Sequence, residues 1–257
     1  MIPKTIWQTF ATDLADLPAT VARSVHLWAS MNPEYNHRYF SDIGVRAYVE
    51  NSSYPCVKDA FQRAHSGGAK ADIWRALVLY EKGGVYADID ALPVNPLRTF
   101  VMEDDDAVTG IGHDEHGPEQ FVMIYGQGHP VIKEYLQRVI EQVVFTGASS
   151  AIRSTGPTAL YLSAVRTLCN FGLGSTLDSG RSYSTCDGRH WLRVLPTRHA
   201  CPAFSYCGTM NSVGGNVKFI NHASYRRSLR KMNITYHTEG HFTQPSKRIP
   251  GCLKRGL

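Results

Sequence analysis

The segment that most constrains the fold runs from Gly83 to Pro93 and reads GGVYADIDALP. Two glycines precede a short apolar run, and Asp88 and Asp90 follow it one residue apart. Successive side chains of a β-strand point to opposite faces, so a strand through this segment places both carboxylates on one face. The rise per residue then separates them by roughly 6.5–7 Å. Two carboxylates this close repel each other, so the pattern predicts a cation beside them.

The residues before the glycine pair predict a helix that ends there. The apolar side chains follow the i, i+3, i+4, i+7 spacing of one buried helix face; they are Ile73, Ala76, Leu77 and Tyr80. Asp72 and Arg75 are three residues apart on another face, within reach of each other. A glycine supplies the left-handed residue that ends such a helix and turns the chain into the next strand. We therefore expect Asp88 and Asp90 at the carboxyl end of a strand, where open α/β sheets bind ligands.

Apolar strands and helices alternate along the chain as far as residue 171. The predicted strands cover 5–9, 35–40, 107–112 and 120–125, and the predicted helices lie in 19–31, 43–80, 130–145 and 157–171. This alternation predicts an α/β fold with a central, mostly parallel sheet flanked by helices. The stretch 172–188 is rich in Gly, Ser and Thr and predicts a loop. No repeat or linker divides the chain, so we expect a single domain over residues 1–257.

The acidic pair suits a divalent metal. Carboxylates bind Mg²⁺ or Mn²⁺, which keep coordination positions open for phosphate oxygens. Such a metal, bridging the phosphates of a nucleoside diphosphate sugar, neutralises charge as the sugar–phosphate bond breaks. Arg75 could then bind the phosphate or the sugar, and Asp72 could accept hydrogen bonds from sugar hydroxyls. The simpler interpretation of Asp72 and Arg75 is a helix-surface ion pair worth under about 1 kcal/mol.

Two other functions fit the same residues. Clustered carboxylates also serve the two-metal sites of phosphoryl-transfer enzymes such as nucleases and nucleotidyltransferases. The formal net charge is +5, and from Asn221 onward eight Lys or Arg face only one acidic residue, Glu239. This basic tail suits an anionic partner such as phosphate, nucleic acid or an anionic membrane surface, or it is simply solvated. A non-catalytic module that binds glycan or nucleic acid is therefore the third hypothesis.

Composition gives an expected location and little else. No run approaches the roughly 18 consecutive apolar residues of a membrane helix, and MIPK leads directly into the first predicted strand. We therefore expect a soluble, cytoplasmic protein, although a catalytic fragment without its membrane anchor would show the same pattern. The six cysteines form no C-x-x-C pair, so no zinc site is predicted. A disulfide among Cys186, Cys201 and Cys207 is conceivable but has no support from an export signal.

Five segments resemble glycosyltransferase family 32, which includes fungal α-mannosyltransferases and, more distantly, the catalytic domains of large glucosylating toxins. They are IPKTIWQTF (2–10), NPEYNHRYFSD (32–42), AKADIWRALVLYEKGGVYADIDALPVNPL (69–97), IYGQGHPVIKEYL (124–136) and STGPTAL (154–160). The resemblance is dense over roughly the first 100 residues and thin beyond 160. The central segment carries Asp72, Arg75, Asp88 and Asp90 in register, which is far more specific than Asp-x-Asp alone.

The resemblance implies a GT-A type, Rossmann-like nucleotide-sugar-binding fold. It implies a metal-dependent, retaining transfer of a hexosyl unit from a UDP- or GDP-sugar to a hydroxyl of a glycan, lipid or protein, with Mn²⁺ or Mg²⁺ as cofactor and no nucleic acid as partner. Residues 1–100 would then form the nucleotide-sugar-binding half and 101–225 the acceptor-side half. Residues 226–257 would form a basic C-terminal tail with a peripheral contact to an anionic surface.

The resemblance also implies roles for individual residues. Trp7 would stack on the nucleotide base, with Gln8 and Thr9 of the same motif beside the nucleotide. Asp72 and Arg75 would hold the donor sugar and its phosphate. Tyr86 would lie near the nucleotide, Asp88 would contact ribose and sugar and reach the metal through water, and Asp90 would ligate the metal directly. His222 of NHASY would take the place of a family histidine near the metal. The family has Trp where this chain has Tyr225, which is a departure from its pattern.

Overall fold

A computed structural model describes residues 1–111, 117–146, 155–196, 211–212 and 217–219. The strands are β1 (Thr5–Phe10), β2 (Asn36–Ser41), β3 (Gly84–Ala87), β4 (Ala91–Pro93), β5 (Ala107–Thr109), β6 (Val122–Tyr125), β7 (Ser182–Ser184), β8 (Trp191–Val194), β9 (Asn211–Ser212) and β10 (Val217–Phe219). The α-helices are α1 (Ala19–Met31), α2 (Asp42–Asn51), α3 (Val57–Arg63), α4 (Gly67–Lys82), α5 (Pro130–Glu141) and α6 (Pro157–Thr167). A π-helical turn (Gln142–Thr146) extends α5.

Seven strands form the main sheet, in the order β2-β1-β3-β6-β5-β8-β7. The pairs β1–β2, β1–β3 and β5–β8 are parallel, whereas β3–β6, β5–β6 and β7–β8 are antiparallel. The α/β class is confirmed, but the expectation of a mostly parallel sheet is wrong. A parallel neighbour needs a long crossover connection, whereas β7 reaches β8 through a short turn that permits only antiparallel pairing.

A small second sheet extends the main sheet near the acidic pair. Its strands run in the order β4-β10-β9, all antiparallel. In this register Phe219 lies opposite Ala91, the residue that follows Asp90. The small sheet therefore brings a late part of the chain beside the acidic segment.

Helix α4 ends at the glycine pair, as predicted, and Ser66 caps its beginning. The Ser66 hydroxyl accepts a hydrogen bond from the backbone N–H of Ala69. Gly83 has φ +65°, and a Cβ there would lie 2.5 Å from the backbone nitrogen of Gln127, so only glycine fits this turn. The helix is buried continuously over 72–79, not only along the predicted apolar face. The charged residues of this stretch, Asp72 and Arg75, are therefore buried in the protein interior.

The boundaries of several other elements follow the sequence pattern. Helix α1 has the predicted bounds, and the helical region 43–80 consists of three helices. The predicted loop 172–188 contains β7, and β8 was not predicted at all. Within the described ranges, no helix has the length and apolar character needed to cross a membrane.

Candidate active site

Arg75 lies at the centre of a buried charged cluster. Its Nη2 is 3.3 Å from Oδ1 of Asp72 and 3.0 Å from Oδ1 of Asp88. Its Nη1 donates to the backbone carbonyl of Gln120 at 3.0 Å, and the guanidinium lies over the ring of Tyr86, 4.5 Å from the centroid. The predicted proximity of Asp72 and Arg75 is confirmed. The alternative of a surface ion pair is wrong, because both side chains are more than nine-tenths buried.

Asp72 is held by residues from three distant parts of the chain. Gln120 Nε2 donates to Asp72 Oδ1 at 2.9 Å, and the Thr155 hydroxyl donates to Oδ2 at 2.7 Å. The hydroxyl of Tyr135 donates to the Thr155 carbonyl at 2.7 Å. Burial raises the pKa of Asp72 to about 6, while Arg75 and the two hydrogen bonds oppose this rise. Burial therefore disfavours the ionised form of Asp72, whereas these hydrogen-bond donors favour it.

Gln120, Tyr135 and Thr155 were not predicted as site residues. Thr155 lies within STGPTAL, a segment that carried the family resemblance but no assigned role, so a signal existed for it. Tyr135 likewise lies within IYGQGHPVIKEYL. Gln120 lies in none of the five segments, and only the tertiary structure brings it to Asp72.

Asp88 and Asp90 lie in a turn rather than on a strand. Strand β3 ends at Ala87, and the backbone N–H of Ala91 donates to the carbonyl of Asp88 at 3.0 Å. The expectation of a strand that carries both carboxylates on one face is therefore wrong. The predicted carboxyl end of a strand is correct, because β3 ends directly before Asp88. The Tyr86 hydroxyl donates to Asp88 Oδ1 at 2.8 Å, which fixes one oxygen of this partly exposed carboxylate.

The second aspartate of the turn has unused hydrogen-bonding capacity. Asp90 is partly exposed, and no other residue in the described ranges donates a hydrogen bond to its carboxylate. Burial, and then the nearby charge of Asp88, raise its pKa to about 7. A carboxylate that is costly to ionise and lacks a donor is suited to a cation. The oxygen donors of Asp88 and Asp90 fit Mg²⁺ or Mn²⁺.

Of the three β1 residues that were predicted to bind the nucleotide, only Gln8 lies close to the Asp88–Asp90 turn. Gln8 is buried, and its Nε2 lies 3.5 Å from the Asp88 carbonyl. Trp7 is 8% exposed, and its indole N–H donates to the Gly83 carbonyl at 2.8 Å, at the opposite end of β3. Thr9 donates to the carbonyl of Phe40. Stacking of Trp7 on a base would require the indole to leave this position, so its assigned role stays a prediction.

The remaining assigned residue, His222, lies outside the described residues. The nearest described part of the chain is β10, whose last residue, Phe219, pairs with Ala91 beside Asp90. The role of His222 at the metal therefore stays a prediction.

A second cluster, Asp106, His129 and His190, lies at the opposite edge of the main sheet. The Asp106 carbonyl accepts from Gly126, which follows the β6 residue that pairs with Gly84 at the start of β3. His190 Nδ1 is 2.6 Å and His129 Nε2 is 3.8 Å from Asp106 Oδ2. Three ligand atoms so arranged could in principle hold a metal.

The hydrogen bonds of His129 argue against a metal there. Its Nδ1 accepts from the backbone N–H of Val131 at 3.2 Å, so in the neutral ring Nε2 carries the hydrogen and has no lone pair for a metal. Burial lowers the pKa of His129 to about 4, which keeps the ring neutral, although Asp106 opposes this shift. We therefore interpret the cluster as a structural hydrogen-bond network, separate from the acidic turn.

The region that resembles known proteins contains the candidate active site. A family model described as "Glycosyltransferase sugar-binding region containing DXD motif" matches residues 18–107. The chain is 30% identical over 158 residues to a Saccharomyces cerevisiae protein named as glycosyltransferase HOC1, covering 54% of this chain and 39% of that protein. It is 26% identical over 164 residues to the initiation-specific alpha-1,6-mannosyltransferase of Candida albicans, covering 54% and 43%. The chain thus spans less than half the length of these relatives.

A solved structure shares the fold. PaToxG glycosyltransferase superposes with a TM-score of 0.52 at 17% identity, covering 63% of this chain and 69% of that chain. The GT-A type α/β fold is confirmed by this similarity. The resemblance to glycosyltransferase family 32 is confirmed by the family model and the fungal relatives.

Proposed function

We propose that this chain is a metal-dependent, retaining glycosyltransferase that moves a hexosyl unit from a UDP- or GDP-sugar to a hydroxyl acceptor. The observation that carries the proposal is the buried Arg75 between Asp72 and Asp88, next to the Asp88–Asp90 turn at the carboxyl end of β3. The match of residues 18–107 to a sugar-binding family supports it, because these four residues all lie within that match.

Asp88 and Asp90 would hold the metal, with His222 as a further ligand from outside the described residues. When bound, a divalent cation would neutralise the negative charge that develops on the diphosphate as the sugar–phosphate bond breaks. The rise in the pKa of Asp90 supports this assignment, because a site built to bind a cation places carboxylates where ionisation is otherwise costly.

Arg75 and Asp72 would orient the donor. Among the described residues, none accepts a hydrogen bond from the buried Nε of Arg75, so we expect this guanidinium to retain one donor for a phosphate or sugar oxygen. Asp72 is a poor nucleophile, because it is buried and both its oxygens accept hydrogen bonds from Gln120 and Thr155. We therefore favour a front-face reaction with an oxocarbenium-like transition state, in which the departing phosphate oxygen takes the acceptor proton. The protein would contribute mainly electrostatic preorganisation.

The nucleoside would lie toward the carboxyl ends of β1 and β2. An open cleft of about 430 Å³ is found there, and its lining includes Asp13, Leu14, His37, Tyr39, Ser41 and Gly44. These strands are parallel to β3, so the cleft and the Asp88–Asp90 turn lie at the same edge of the sheet. A nucleotide sugar could therefore place its base in the cleft and its diphosphate at the turn.

The names of the fungal relatives make mannose the first sugar to test. A glycan, a lipid or a protein could supply the acceptor hydroxyl. The basic tail, residues 226–257, lies outside the described residues, and its contact with an anionic surface stays a prediction. The cytoplasmic location likewise stays a prediction.

A panel of UDP- and GDP-hexoses tests the proposal without knowledge of the acceptor. We expect one donor to release nucleoside diphosphate with Mn²⁺ and not with a chelator. The double variant Asp88→Asn/Asp90→Asn should lose roughly 10²-fold or more of this activity, because the charge-neutralising site is removed. Glu103→Gln/Asp104→Asn is the matched control, since it removes two acidic groups that are exposed to solvent.

Three outcomes would contradict the proposal. Full turnover by the Asp88→Asn/Asp90→Asn variant would refute the metal assignment. Metal-dependent cleavage of DNA or RNA without turnover of any nucleotide sugar would indicate phosphoryl transfer instead. Salt-sensitive binding of glycan or nucleic acid that survives both chelation and loss of Asp90, again without turnover, would indicate a binding module.

A further inference from the structure

Two free thiols, Cys169 and Cys186, are brought together by a β-bridge at the end of α6. Leu168 and Thr185 form an isolated antiparallel bridge. The backbone N–H of Cys169 donates to the Ser184 carbonyl at 2.9 Å, and that of Cys186 donates to the Thr167 carbonyl at 3.0 Å. The backbone on both sides of the pair is therefore fixed by hydrogen bonds.

The bridge geometry directs both side chains to the same face. Each cysteine is one residue beyond the bridged pair, so both side chains point away from the face that Leu168 and Thr185 occupy. They are diagonal neighbours across the bridge, and the neighbouring Cys169 thiol raises the pKa of the Cys186 thiol. Diagonal neighbours lie about 7–8 Å apart. A disulfide requires Cα atoms within about 7 Å, so the cross-link needs a backbone movement of about 1 Å at the bridge.

Both sulfur atoms are accessible to a reagent. Cys186 is exposed and Cys169 is half-buried, and both thiols are free. The chain also carries an oxidised cysteine elsewhere, because Cys56 is disulfide-bonded.

We propose that Cys169 and Cys186 form a second disulfide, by exchange with an external disulfide as the oxidant. The exposed Cys186 thiolate attacks one sulfur of that disulfide and expels the other as a thiolate. The Cys169 thiolate then attacks Cys186 in the mixed disulfide and expels the second thiolate. The two cysteines together lose two protons and two electrons, and the oxidant is reduced to two thiols.

The cross-link would anchor the far end of α6. The same helix begins just after Thr155, whose hydroxyl binds Asp72, so the cross-link would hold in place an element that supports the candidate active site. It would also close the segment 170–185, which lowers the conformational entropy of the unfolded chain. The proposal does not depend on the proposed function, because it rests only on the thiols and the bridge.

Peptide mapping tests the cross-link directly. The protein is equilibrated with oxidised glutathione, free thiols are blocked with an alkylating reagent, and non-reduced peptides are analysed by mass spectrometry. We expect a Cys169–Cys186 linked peptide in wild type and in Cys56→Ser. Recovery of Cys169 and Cys186 as alkylated or glutathionylated monomers, or linked to other cysteines, would overturn the proposal.

Thermal unfolding supplies the second readout. Comparison of oxidised wild type with oxidised Cys169→Ser/Cys186→Ser leaves the Cys56 disulfide intact in both proteins. We expect the Tm of oxidised wild type to be higher by roughly 5–10 °C. When Cys169 and Cys186 of wild type are instead blocked in their reduced state, we expect the two proteins to have the same Tm. An equal Tm for the two oxidised proteins would show that this pair adds no cross-link.

Discussion

Removal of the Thr155 hydroxyl should shift the pH dependence of the enzyme. Thr155→Val keeps the shape of the side chain but deletes the donor that lies 2.7 Å from Oδ2 of the buried Asp72. A hydrogen bond to a charged group contributes about 1.5–3 kcal/mol, and one to a neutral group about 0.5–1.5 kcal/mol. Without this hydrogen bond, the ionised form of Asp72 therefore loses about 1–1.5 kcal/mol more stabilisation than the protonated form. This difference corresponds to a rise of about 1 unit in the pKa of Asp72.

The sign of the shift follows from the role of the hydroxyl. The pKa of Asp72 is already raised to about 6, chiefly by burial, and Thr155 is one of the groups that lower it. Without that hydroxyl the carboxyl stays protonated to higher pH. If donor binding needs ionised Asp72, the acid limb of kcat/KM moves upward by about 1 pH unit, because kcat/KM reports the free enzyme.

The assay is donor hydrolysis from pH 5 to pH 9 at saturating Mn²⁺. Thr155→Ser restores a hydroxyl and should restore the wild-type acid limb. Thr167→Val is the matched control in α6, because that hydroxyl donates only to the carbonyl of Ser163 within the helix. A uniform loss of activity in Thr155→Val with an unmoved acid limb would refute the reasoning, and so would an equal shift in Thr155→Ser.

Four further predictions concern the charged groups. Asp90→Asn should raise the free energy of unfolding of the metal-free protein by about 1 kcal/mol at pH 8. The raised pKa of Asp90 means that its ionisation, as the pH rises from 4 to 7, destabilises the folded state, and asparagine removes that cost. A denaturant titration that shows no gain in stability would contradict this. Mn²⁺ affinity, measured by calorimetry, should rise about tenfold per pH unit below the pKa of Asp90, about 7, and level off above it; a flat profile from pH 5 to pH 8 would exclude Asp90 as a ligand. Arg75→Lys should cost at least 10²-fold in kcat/KM, because one ammonium cannot replace the contacts to Asp72, Asp88 and the Tyr86 ring; near-normal turnover would refute this role. Asp106→Asn should lower Tm but leave Mn²⁺ affinity unchanged, and loss of that affinity would relocate the metal to the other sheet edge.

Local patterns in the sequence predicted the elements that carry the site. The bounds of α1, the end of α4 at Gly83 and the proximity of Asp72 to Arg75 all follow from spacing over a few residues. Helix periodicity and glycine conformation act within one or two turns, so one sequence is enough to read them.

Other features depended on which strands become neighbours. The antiparallel pairing of β6 with β3 and β5, and the turn that takes Asp88 and Asp90 off the strand, are set by how the chain returns to the sheet. Alternating apolar patterns give the presence of a strand but not its direction, so a mostly parallel sheet was the wrong expectation.

The sequence by itself determined the acidic pair, the helix that feeds it and the residue types suited to a divalent cation. Only the tertiary structure decided that residues 72–79 of α4 are buried on all sides and that Asp72 receives hydrogen bonds from Gln120 and Thr155, which lie 48 and 83 residues away along the chain. The physical reason is that the ionisation of a buried carboxyl depends on every donor and charge around it, and those groups meet only when the whole chain has folded.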